Sequence, residues 1–84
     1  MSSTVSRDLT AGLVLKELRE NRGLSPEQMP FAMLRAGVEP VSGKTIRRIE
    51  RGAIPQVRVK FALAQFFDRD VSAIWVVRTP RVAA

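Results

Sequence analysis

Apolar residues recur along most of this chain at helical rather than strand spacing, and glycine, proline and polar clusters cut the pattern into short pieces. From about Thr10 to Asn21, Leu15 and Leu18 fall on one face while Lys16, Glu17 and Glu20 fall outside. That predicts an amphipathic helix ended by Arg22-Gly23, with Leu24 returning the chain to the core. Ser25-Pro26-Glu27-Gln28 reads as a helix start, with serine at the N-cap, proline at the first helical position and glutamine completing a capping box. The helix it opens offers Met29, Ala32, Met33 and Ala36, the methionines as core filler, and stops at Gly37. Pro30 conflicts with this pattern, because in a second turn it removes a backbone hydrogen bond and should bend the helix.

Val38-Glu39-Pro40-Val41 reads as a connector into the most distinctive segment, Ser42 to Gly52. Ser42 suits an N-cap, Gly52 suits a C-terminal stop, and Ile46 and Ile49 are the only apolar residues between them. Residues three apart share a helix face, so both isoleucines can enter a core together. Lys44, Thr45, Arg47, Arg48 and Arg51 then turn largely outward. After a break at Ala53-Ile54-Pro55-Gln56, a fourth helix from about Val57 to Phe67 has Phe61, Leu63, Ala64 and Phe67 available for burial, although it is apolar around more than half its girth. Asp68-Arg69-Asp70 interrupts it. Asp70 is then an N-cap for a short fifth helix, Val71 to Trp75, whose Ile74 and Trp75 close the core. The expected fold is all-α, about five short helices, with an N-terminal arm at 1–8, a domain at 9–77 and a tail at 78–84.

Composition narrows the chemistry. With no cysteine and no histidine in 84 residues, disulfides, thiolate or imidazole metal sites and the usual catalytic base are all missing. The remaining Asp and Glu are scattered, so neither enzyme activity, nor a metal, nor a cofactor, nor a small-molecule ligand is expected. A polar start and the lack of a long apolar run point away from export and the membrane, toward a cytoplasmic, nucleoid-associated protein. The net charge is +6, and its distribution is uneven. Lys44, Arg47, Arg48, Arg51, Arg58 and Lys60 meet one anion, Glu50, between Ser42 and Lys60, leaving the rest of the chain nearly balanced. A basic patch confined to one part of a domain is the footprint expected for a phosphate backbone. The DNA major groove admits one α-helix.

Leu15-Lys16-Glu17-Leu18-Arg19-Glu20-Asn21-Arg22-Gly23-Leu24-Ser25-Pro26-Glu27-Gln28-Met29 resembles the first helices of the phage Cro/C1-repressor-type helix-turn-helix family, also called the Xre family. Thr45-Ile46-Arg47-Arg48-Ile49-Glu50-Arg51-Gly52 resembles its recognition helix, and Pro55 through Trp75 is similar to its closing helices, so the likeness covers about residues 13–75. It implies a lambda-repressor-like domain that binds double-stranded DNA as a transcriptional regulator, such as a repressor occupying an operator. It also implies that Ile46 and Ile49 are buried, that Arg19 and Glu50 form an ion pair, and that Ser42, Gly43, Lys44, Arg47, Arg48 and Arg51 face bases or phosphates. The chain departs from the family pattern twice. The link between the second helix and Ile46 is longer, and Pro26 stands where a phosphate-binding glutamine is common, leaving Gln28 as the replacement donor.

Within this frame Arg47 is the candidate for reading a base, since arginine can bond both O6 and N7 of guanine. Lys44 and Thr45 lie in the first turn, which enters the groove deepest. Arg48 and Arg51 are candidate phosphate contacts, as are Arg58 and Lys60 at the start of the fourth helix. Arg7 is a candidate for a minor groove. Val76 and Val77 are candidates for contact with a second copy, because two copies on DNA are expected where one helix reads too few base pairs. The competing readings are an antitoxin or adaptor that binds a protein, and a DNA-architecture factor for phage integration and excision.

Overall fold

The computed structural model describes residues 8–75. They form five helices: α1 Leu9–Asn21, α2 Met29–Arg35, α3 Gly43–Glu50, α4 Val57–Phe66 and α5 Val71–Ile74, with no strand among the described residues. The fold is therefore all-α, in keeping with a small helix-turn-helix domain. α1 packs on α3 and α5, α2 on α3, and α4 on α5. Leu15, Met29, Met33, Ile46, Ile49, Leu63, Phe67 and Ile74 are fully enclosed at the centre. Trp75 joins this core at 3% exposure. Arg7, Val76, Val77 and the remaining tail lie outside the described residues.

The ends of α1 to α4 obey one rule. The backbone N–H three residues past the last helical residue returns to the final turn, as in Leu24 N–H to Arg19 O, Val38 to Met33, Ala53 to Arg48 and Arg69 to Ala64. Such a closure needs a residue with positive φ just before the returning one. Gly23, Gly37 and Gly52 supply it for α1 to α3, and Asp68, at φ 56°, supplies it for α4. The fourth case is invisible to a search for glycine stops, because an aspartate there pays the steric cost that glycine avoids.

Five sequence expectations change on contact with the structure. Asp8, assigned to the arm, belongs to the fold: its carboxylate accepts the Ala11 N–H at 2.9 Å, and its own N–H donates to Gly52 O at 2.8 Å. Pro30 does not bend a helix. Ser25 and Gln28 exchange the two expected capping-box bonds, at 2.8 and 3.2 Å, but these close an isolated turn, and α2 starts afresh at Met29. Pro30 thereby falls in the first turn, where N–H groups have no intrahelical partner to lose. Ala36 is exposed, because it follows the last helical residue of α2. Phe61 is 59% exposed: α4 turns Ala62, Leu63, Phe66 and Phe67 inward, and Phe61 follows Val57 on the outer side. Val38 and Val41, read as connector, are both buried and belong to the core. No described helix is long and apolar enough to cross a membrane.

Candidate nucleic-acid interface

The site begins with how α3 is held. Ser42 caps it, its Oγ accepting the Thr45 N–H at 3.2 Å, and Ile46 and Ile49 are buried to 0% and 1% exposure. At the far end the chain turns at Gly52, whose φ of 109° is a conformation that side chains rarely adopt. α1 lies unusually close there. A Cβ on Gly12 would stand 2.6 Å from Ile49 O and 2.9 Å from Glu50 O, so only glycine lets the helices approach this far. At the near end, a Cβ on Gly43 would stand 2.9 Å from Pro26 O. Gly43, expected to face bases or phosphates, is first of all required by the turn before α2.

A buried ion pair completes the anchorage. Arg19 Nε donates to Glu50 Oε2 at 2.6 Å and Nη2 to Oε1 at 3.0 Å, while Nη1 donates to Leu24 O at 2.6 Å. Both side chains are nearly enclosed, at 8% and 11% exposure. The hydrogen-bonded Glu50 carboxylate pushes the Arg19 pKa further up against the opposing effect of burial, so the guanidinium stays charged. The expected pair is therefore present, and it ties the last turns of α1 and α3 to the turn at Leu24. Nearby, Arg22 donates to Phe66 O at 3.1 Å and lies 4.9 and 5.0 Å from the ring centres of Phe66 and Phe67, joining the end of α1 to the end of α4. Its adjacency to Gly23 had marked Arg22 only as part of a helix stop.

What α3 leaves outside is cationic. Lys44, Arg47, Arg48 and Arg51 are all exposed. Among the described residues Lys44, Arg48 and Arg51 have no ion-pair partner, whereas Arg47 pairs with Glu27. Thr45 is half-buried and its hydroxyl accepts from Ser42 Oγ at 3.0 Å, which makes both side chains part of the helix start. Gln28 uses its amide oxygen on Ser25 N–H, so its NH2 group remains turned to donation. Arg58 pairs with Glu39, and Lys60 places its Nζ 6.0 Å from the Trp75 ring centre. The structure thus gathers Lys44, Arg47 and Arg48 on one helix, with Ser42 and Gly43 at its start and Arg51 at its C-cap, and gives Arg58 and Lys60 other neighbours.

No family model, curated protein or solved structure matches this chain. The functional reading accordingly rests on its own residues.

Proposed function

We propose that the protein is a sequence-specific regulator of the Cro/C1-repressor kind, which binds duplex DNA by placing α3 in the major groove of an operator. The observation that supports this most directly is the division of α3 and its C-cap: two isoleucines face the core, while Lys44, Arg47, Arg48 and the capping Arg51 are exposed. A short helix held at both ends and charged on its free side fits a groove of its own width lined by phosphates. In this reading Arg48 and Arg51 hold the backbone, Lys44 and Arg47 reach base edges, and two copies sit about one DNA turn apart, roughly 34 Å, on a near-palindromic site. Gln28 donates to a phosphate in place of the family's glutamine.

Titration of labelled duplex at several salt concentrations tests this. Arg48 and Arg51 of two copies meet four phosphates, which gives a log–log slope of roughly −4. A slope near zero, or no binding at low salt, overturns the proposal. Replacing Arg48 or Arg51 with alanine should weaken binding to all sequences about equally.

Arg47→Ala should behave differently. Loss of a bidentate guanine contact costs roughly 1–3 kcal/mol at a single base pair, so preference there should relax as overall affinity falls. Equal weakening on preferred and random duplexes would reassign Arg47 to the backbone.

One observation favours the adaptor reading as the alternative. Phe31 and Leu34 on α2 are 68% and 63% exposed, an apolar surface of the kind that proteins bind. Absence of salt-dependent duplex binding would leave that reading in place.

A further inference from the structure

Glu27 is the carboxylate that stands among the cations of α3. Its place there follows from Gly43. A side chain at residue 43 would meet Pro26 O at 2.9 Å and Glu27 Cα at 3.2 Å, so the missing side chain is what lets this turn lie against the first turn of α3. Residues 43 and 47 are one helical turn apart and share a face. The same approach therefore sets Glu27 beside Arg47, and the two side chains form an ion pair while both remain about half exposed. A guanidinium has five N–H donors in a planar fork, and a carboxylate engages at most one side of it. The other side is left to bond outward.

We propose that Glu27 is a positioning residue that determines sequence preference: it holds the Arg47 fork in one orientation toward base edges and keeps it off the phosphates. This rests on the DNA-binding reading above. An unrestrained arginine on a groove helix can swing to the nearest phosphate on any sequence, which adds affinity without information. A fixed anion beside it opposes that swing by repelling phosphate and by retaining the guanidinium. Exposed pairs of this kind contribute little to folding, so the pair's effect falls on aim rather than on stability. The Glu39–Arg58 pair is also exposed but lies off α3, and so provides a matched change of one charge elsewhere on the same domain.

The full chain, as wild type, E27Q, E39Q, R47A and E27Q/R47A, is to be equilibrated with a randomised duplex pool, and the bound fraction sequenced and titrated with salt. E27Q should bind the unselected pool more tightly, with a salt slope steeper by about one, since Arg47 gains a phosphate. Its preference at one base position should fall about tenfold. E39Q should raise pool binding and leave every base preference in place. In the R47A background, E27Q should change no preference further, because its effect passes through Arg47. If E27Q keeps the wild-type preferences, or alters them as much in R47A as in wild type, the role of Glu27 is overturned while DNA binding stands. Wild type that neither binds in a salt-dependent way nor enriches any sequence overturns both.

Discussion

Replacing Glu50 with alanine is expected to remove about 3–5 kcal/mol of folding stability, the typical cost of stranding one member of an enclosed ion pair. Arg19 would keep its charge at 8% side-chain exposure with its strongest partner gone. For a small domain such a loss is a large part of the whole, and it corresponds to a fall in melting temperature of at least about 12 °C. Glu50 also sits at the C-terminal end of α3, where the helix dipole disfavours an anion, so Arg19 is what makes a carboxylate tolerable there. Arg19→Ala should cost at least as much, because it also strands Leu24 O, which now accepts from Nη1 at 2.6 Å. The double replacement should recover part of the sum. Thermal or denaturant unfolding of the two single variants and the double variant closes the cycle, and strictly additive losses would show that the two residues act independently.

Gly12→Val should be as damaging for an unrelated reason. The new Cβ would lie 2.6 Å from one backbone oxygen and 2.9 Å from another, and backbone cannot rotate aside as a side-chain tip can. Overpacking typically costs about 1–3 kcal/mol, and a β-branched residue returns little of it through helix propensity. A loss of about 3 kcal/mol or more is expected, read by the same unfolding experiment. Gly12→Ala should be milder, since alanine's helical preference over glycine offsets about 1 kcal/mol. Thr10→Ala, on the exposed side of the same helix, should change little and serves as the control. Combined with Glu50→Ala, the Gly12 variant should depart from additivity, because both act on the last turn of α3. A Gly12→Val protein as stable as wild type would mean that α1 and α3 can separate freely.

The parts of this molecule that were legible in its sequence depend on near neighbours. Ser42, Gly52, Ile46 and Ile49 declare a capped helix with one buried side, because caps and helical spacing act over three or four residues. Ile74 and Trp75 as core, and the pairing of Arg19 with Glu50 implied by the family likeness, also agree with the structure. What escaped depends on approaches between distant segments. Gly12 sits within a helix, itself a signal of close packing, but its partner is the backbone of residues 49 and 50. Glu27 meets Arg47 only because Gly43 admits the turn between α1 and α2. Phe61 misled because α4 is apolar on more than one side, so spacing alone does not choose which side is buried. Val38 and Val41 have no periodicity to announce them, yet both belong to the core.

The clamping of α3 at both ends has a thermodynamic consequence. Its first turn rests against Pro26 and Glu27, its last against Gly12, Arg19 and the Asp8 N–H that reaches Gly52 O. A segment already fixed in this way has little backbone entropy left to lose on meeting a partner, so association would immobilise side chains rather than fold a helix. On the proposed reading, the heat-capacity change of binding should then be set by the surface brought into contact, without the larger contribution that accompanies coupled folding.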